Sequence, residues 1–278
     1  MKLNNILFVF LWCSIFCISC GNNKAKQAQN STHINKTSEN ISKSRAVSET
    51  KKAKTADLSL TYLVRKPAAT SHKKAPLLLL LHGYGSNAKS MFQFSKVLDE
   101  RFLILSVQAP MQLDADGHKW YSIDFVEKNI VRNDDDIQKS CGELRIFIEN
   151  LGEQFEFDKN EIYLMGFSQG AIMSLEMALT QNEHTPKIAG TVAMSGRIDD
   201  KLMQRLTTDK EILKQLSIFV THGTADDVIG IEEARNAKKI LEQLPVNLQY
   251  QEYENMPHTV SNACLKDIQT WLTKQINR

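Results

Sequence analysis

The chain has 278 residues, 42% of them hydrophobic and 24% charged, which suits one sizeable soluble domain with an appendage. A formal net charge of +2 conceals an uneven distribution: residues 21–56 hold eight Lys and Arg against two Asp and Glu, whereas residues 57–278 hold 25 against 30. The body of the chain is mildly acidic and lacks the basic stripe that a phosphate backbone demands, which argues against nucleic acid as a partner.

The first twenty residues, MKLNNILFVFLWCSIFCISC, place a positive charge at Lys2 ahead of an apolar stretch from Ile6 to Ile18, with small Ser19 just before Cys20. That is the layout of a secretory signal peptide, too short and one-sided for a stable membrane span. The junction Ile18-Ser19-Cys20-Gly21 resembles the lipobox of bacterial lipoproteins, with Cys17 where that pattern prefers an aliphatic residue. The resemblance implies cleavage before Cys20, lipid on its sulfur, and a protein held on the periplasmic side of a Gram-negative envelope. Residues 21–56 offer Ile34, Ile41 and Val47 as their only aliphatics beyond alanine, too few to offset chain entropy. They read as a disordered tether that holds the following domain a few tens of ångströms (roughly 5–6 Å × √n) from the bilayer.

From Asp57 to Arg278 the pattern alternates strand and helix. Leu58 to Val64 alternates apolar and polar positions, as an edge strand does. Pro76 to Leu81, Phe102 to Val107, Ile162 to Gly166, Ile188 to Met194 and Ile218 to Val220 are continuous apolar runs, expected as strands covered on both faces. Leu248 to Tyr253 reads as a further strand. Helical periodicity marks Asp136 to Leu151, Ser168 to Ala178, Ile231 to Leu244 and Val260 to Ile276. The expected fold is α/β, a mainly parallel central sheet with helices on both faces. Cys141 and Cys264 are the only cysteines in this part, and no CxxC or Cys/His cluster suggests a metal. They read as two separate buried side chains, although sequence alone does not exclude a disulfide.

Four segments carry chemistry. Gly166-Phe167-Ser168-Gln169-Gly170 matches G-x-S-x-G with a strand running in and a helix running out, the context in which the serine is lifted clear of the sheet as a nucleophile. His82-Gly83-Tyr84-Gly85 follows the five-leucine strand. Its Tyr84 N–H and the Gln169 N–H are candidate donors to a developing oxyanion. His82 itself reads as structural. His222-Gly223-Thr224-Ala225-Asp226-Asp227 ends another strand and supplies two candidate acids for a catalytic imidazole. Met256-Pro257-His258 comes last. The chain order serine, acid, histidine selects His258 as the base and leaves His33, His72, His118, His184 and His222 as bystanders. The connection from Pro110 to Asp134 is the richest apolar cluster outside the strands. Part of it is expected to line an acyl pocket, with Trp120 the leading wall and Tyr121 beside it. The mixed charge of Asp199 to Leu216, a segment that could fold over the opposite side, suits a poor lipid-facing lid.

Together L-L-L-H-G-Y-G (79–85), G-F-S-Q-G (166–170), H-G-T-A-D-D-V-I (222–229) and M-P-H (256–258) resemble the carboxylesterase/phospholipase branch of the α/β-hydrolases, which includes acyl-protein thioesterases. The resemblance runs over nearly all of 57–278 and places the family's catalytic acid on Asp226. Lys119-Trp120-Tyr121-Ser122-Ile123 resembles the family's W-F-D-I segment beside the site, with Ser122 in place of its acid. The family resemblance implies two-step acyl transfer through Ser168, His258 and Asp226 on a small-molecule carboxylic ester, with no metal or organic cofactor. The mixed charge of Asp199 to Leu216 makes short to medium acyl chains the expectation. A thioesterase or lysophospholipase uses the same atoms. A tethered binding protein that has lost turnover is the reading outside enzymology.

Overall fold

Leu77 to Leu81 show in five residues how the chain is layered. Leu77, Leu79 and Leu81 belong to one hydrophobic cluster with Phe147, whereas Leu78 and Leu80 belong to another with Phe102 and Trp271. Successive side chains of a strand face opposite sides, so an apolar run without a polar break needs cover on both. The computed structural model describes residues 58–68, 74–126 and 129–277. The expected signal peptide (1–20), the lipidation site Cys20 and the tether (21–56) lie outside the described residues.

In chain order, β1 (Tyr62–Arg65) and β2 (Pro76–Leu81) precede α1 (Ala88–Phe92), a 3₁₀ turn (Gln93–Lys96) and β3 (Leu103–Val107). Two small hairpins follow, β4 (Met111–Gln112) with β5 (His118–Lys119) and β6 (Ile123–Val126) with β7 (Asn129–Arg132). After α2 (Asp134–Leu151) come β8 (Asp158–Phe167), α3 (Gln169–Leu179), β9 (Ile188–Met194), α4 (Asp200–Met203) and α5 (Lys210–Gln215). The chain ends on β10 (Ser217–Gly223), α6 (Ile231–Leu241), β11 (Asn247–Tyr253) and α7 (Asn262–Gln275). The seven-stranded sheet has the order β1-β3-β2-β8-β9-β10-β11. Only β1 is antiparallel to its neighbour.

Apolar residues of α2, α3 and α6 fill the cluster on one face of the sheet, and those of α1 and α7 fill the other. Helix α2 starts on Asn133, whose side chain accepts from the Asp136 N–H, and Asp134, Asp135 and Asp136 meet the positive end of its dipole. Every residue of α3 is buried, so most of its side chains are small or apolar, and the charged exception, Glu176, is paired with Arg205 at 2.6 Å. Cys141 on α2 and Cys264 on α7 are buried and free, in the clusters on opposite faces.

Three expectations are adjusted. The edge strand is Tyr62–Arg65 rather than 58–64, because only these residues find partners along β3, from Tyr62 opposite Val107 to Arg65 opposite Ile104. The Pro110 to Asp134 connection contains two hairpins too short for any periodicity to reveal. Residues 199–216 form α4 and α5, capped by Asp199 and Asp209, and bury Leu202, Leu213 and Leu216 in the core. They are packed into the core rather than folded over the far side of an acyl pocket.

The order of strands also sets where a site can open. The chain leaves β2 for β3 on one side and returns as β8 on the other. The carboxyl ends of β2 and β8 thus flank the point where strand order reverses, where α/β sheets leave a crevice. His82 follows β2 and Ser168 follows β8.

Candidate active site

Ser168 occupies the turn between β8 and α3 with φ 55° and ψ −116°, a backbone conformation that non-glycine residues rarely hold. The turn is over-determined by its surroundings. The Ser168 N–H donates to the Met194 carbonyl at 2.9 Å. A Cβ on Gly166 would lie 2.0 Å from the Gly170 carbonyl oxygen, and one on Gly170 would lie 2.1 Å from that of Leu81. Glycine at both positions lets helix, turn and the end of β2 meet backbone to backbone.

The loops after β10 and β11 bring the other two groups. A Cβ on Gly223 would meet the Met256 carbonyl oxygen at 1.9 Å, and the Ala225 N–H donates to that same oxygen at 3.1 Å. This close approach sets His258 between Asp226 and Ser168. His258 Nδ1 is 2.7 Å from Asp226 Oδ2, and Nε2 is 3.0 Å from Ser168 Oγ. The Phe167 ring packs 4.9 Å from the imidazole, centroid to centroid. Asp226 Oδ1 accepts from the Val228 and Ile229 amides at 3.0 and 2.8 Å. Burial alone would raise the Asp226 carboxyl, but hydrogen bonds from His222, His258 and the Ile229 amide outweigh it and hold it well below the usual carboxylate range. An ionised Asp226 makes Nδ1–H the donor and leaves Nε2 free to take a proton from the serine hydroxyl. Asp227, the competing acid, is exposed.

The His82–Gly85 loop lies against the Ser168 turn: a Cβ on Gly83 would sit 3.3 Å from that of Ser168. The Gln169 amide is the first of α3, where no intrahelical acceptor exists, and Tyr84 lies in the facing loop. His82 is wholly buried, with Nδ1 donating to the Gly83 carbonyl at 2.8 Å and Nε2 accepting from the Ala109 N–H at 3.0 Å. Burial, partly offset by that carbonyl, lowers its pKa to about 4, so a neutral ring braces the loop.

Trp120 does not wall a pocket. Its side chain is fully buried, Nε1–H donates to the His82 carbonyl at 2.8 Å, and its own carbonyl accepts from Ser140 at 2.6 Å. An indole with its one donor satisfied in the interior packs behind the loop that carries Tyr84, which corrects the sequence expectation. Tyr121, next in the chain, does line the cavity of about 300 Å³ beside Ser168, with Tyr84, Ile123, Ile172 and Val228.

Several contributors escape motif reasoning. The Gln169 side chain clamps the Trp120–Tyr121 segment, accepting from the Trp120 N–H at 3.0 Å and donating to the Tyr121 carbonyl at 2.9 Å. His222, set aside as a bystander, is buried with Nε2 2.7 Å from the Ile229 carbonyl and 3.3 Å from Asp226 Oδ2. Arg132 and Arg197 line the cavity. Arg132 sits on a hairpin with no sequence signature. Arg197 was discoverable, since it closely follows the carboxyl end of a central strand.

Residues 66–276 match the model of the family described as Phospholipase/Carboxylesterase. The chain is 29% identical over 230 residues to acyl-protein thioesterase 1 of Yarrowia lipolytica, a match covering 77% of this chain and 96% of that protein. Among solved structures it is similar to a Bacillus cereus carboxylesterase, with a TM-score of 0.65 and 23% identity over 80% of this chain and 100% of the other. It is also similar to Zea mays acyl-protein thioesterase 2, with a TM-score of 0.65 and 18% identity over 77% and 98% of the two chains. Likeness at these identities speaks to the fold.

Proposed function

Since the chain belongs to the phospholipase/carboxylesterase family, with an α/β-hydrolase fold and membership among carboxylic ester hydrolases, we propose that it cleaves esters of short to medium acyl chain through an acyl-enzyme on Ser168. The observation that carries this reading is the continuous contact from Asp226 through His258 to Ser168 at 2.7 and 3.0 Å. His258 Nε2 takes the hydroxyl proton as Oγ attacks the ester carbonyl. The carbonyl oxygen, now an anion, is received by the Tyr84 and Gln169 amides. His258, made cationic and steadied by Asp226, returns the proton to the leaving alcohol, then activates water to release the acid and free Ser168. A cavity of about 300 Å³ is at the small end of ligand pockets, which favours short acyl groups. The same atoms open a thioester, and the relatives named acyl-protein thioesterase support that second reading.

A fluorophosphonate probe is expected to label Ser168 and no other serine, and Ser168→Ala to abolish hydrolysis of 4-nitrophenyl butyrate while the protein stays folded. An alanine variant with wild-type turnover would assign the nucleophile elsewhere. Running an alkyl thioester beside its oxygen ester ranks the two chemistries by kcat/KM.

The Ile18-Ser19-Cys20-Gly21 junction supports a further part of the reading, a mature chain that begins at a lipidated Cys20 and is held in a bacterial envelope. Cys20→Ser is expected to release the protein from the membrane fraction or leave it unprocessed. Mass spectrometry finding an unmodified peptide across Ser19 and Cys20 in the mature protein removes the anchor.

A further inference from the structure

The cavity beside Ser168 is lined by two arginines that the acyl-transfer steps do not use. Arg132 is 9% exposed; its Nη2 pairs with Asp199, while Nε and Nη1 are buried without a carboxylate or carbonyl partner. Arg197 Nε is likewise buried without an acceptor, and its Nη1 stands 4.0 Å from the half-exposed Glu233 carboxylate, beyond hydrogen-bond reach. Both residues and Glu233 line the same cavity as Ser168. Tyr121, a neutral hydrogen-bond partner of Arg132, adds no negative charge, because burial pushes its phenol up to about 12 against the pull of Arg132 and Arg197.

Buried charged donors without acceptors are costly, and guanidinium groups meet carboxylates through two parallel hydrogen bonds. Ile123, Ile172, Val228 and Ile229 give the rest of the cavity walls suited to methylene groups. A ligand with an ester at one end, a few methylenes and a carboxylate at the other satisfies each part. Resting on the reading of Ser168 as an esterase nucleophile, we propose that the preferred substrate carries a carboxylate on its acyl side, as in the half-ester of a short dicarboxylic acid, and that Arg132 and Arg197 bind that carboxylate.

The test compares three esters on the full-length protein by titrating released acid: monoethyl glutarate, its neutral counterpart ethyl pentanoate, and the butyrate ester of 3-hydroxypropanoate, which puts the carboxylate on the alcohol side. Monoethyl glutarate is expected to exceed ethyl pentanoate in kcat/KM by about 10- to 100-fold, the scale of hydrogen bonds to a charged group. That ratio is expected to fall at least about tenfold in Arg197→Gln and to be partly retained in Arg197→Lys, which keeps the charge without the planar fork. Arg132→Gln should move it the same way, and Arg197, at the more exposed position, supplies the answer if Arg132→Gln fails to fold. Ethyl pentanoate hydrolysed as well as monoethyl glutarate overturns the carboxylate site and leaves the esterase reading standing. A preference for the alcohol-side carboxylate overturns the acyl-side placement. No turnover of any of the three, with no probe label on Ser168, overturns both readings.

Discussion

Asp226→Asn is expected to lower kcat on ester substrates by about 10⁴-fold, the scale for losing the correct imidazole tautomer, while Asp227→Asn changes it little. The two residues are adjacent in sequence and opposite in setting. Asp226 Oδ2 holds His258 Nδ1 at 2.7 Å and its Oδ1 takes two backbone amides, whereas Asp227 is exposed. An asparagine N–H facing the ring drives the imidazole proton to Nε2, the wrong tautomer, and an asparagine oxygen accepts from Nδ1–H without the charge that steadies the imidazolium. Because Asp226 is held well below the usual carboxylate range, lowering the pH to about 4, where an ordinary aspartate is half protonated, leaves it ionised. Steady-state kinetics of the two variants decide the assignment, and the reverse ranking moves the acid to Asp227.

Trp120→Ala is expected to cost about 3–5 kcal/mol of stability, the range for truncating a buried aromatic side chain. Lost along with the packing is the hydrogen bond from Nε1 to the His82 carbonyl, which then stays buried and unpaired. That carbonyl belongs to the loop bearing Tyr84. The variant should therefore lose kcat on every ester by a common factor, up to the 10²–10³ (order of magnitude) that removal of one oxyanion donor costs. Its preference among acyl lengths should keep its shape. Thermal melts give the first quantity, and kcat/KM across a homologous ester series gives the second. A shift of the preferred chain length toward longer acyl groups would put the indole in the pocket after all.

The contrast between Trp120 and Tyr121 shows where sequence reading runs out. Both lie in one apolar stretch, and composition offers no reason to separate them. Tertiary packing does: Gln169, reaching from the turn after β8, grips the backbone of both residues at 2.9–3.0 Å. It leaves Trp120 enclosed with its single donor on the His82 carbonyl, and Tyr121 on the cavity wall. The histidines divide the same way. His258 was distinguished by its place after a serine and an acid in chain order, but His222 gained its contact with Asp226 only from the curve of the loop after β10.

What the amino-acid sequence determined by itself was whatever depends on short-range periodicity and on backbone geometry that only certain residues tolerate. Apolar runs without a polar break demand strands covered on both faces, and Gly166 and Gly170 around Ser168 permit a turn that a Cβ 2.0–2.1 Å from carbonyl oxygens would forbid. The parallel α/β architecture and the Ser168 turn were readable for that reason, whereas the sequence pointed to Asp226 through the family resemblance and to His258 through chain order. Only the tertiary structure decided which side chains meet across long separations: the brace from Ser140 through Trp120 to His82, and the approach of Arg132 and Arg197 to one cavity. Those contacts join residues tens of positions apart, and their energy comes from burial and hydrogen bonding that exist only once the sheet and its helices have closed around them.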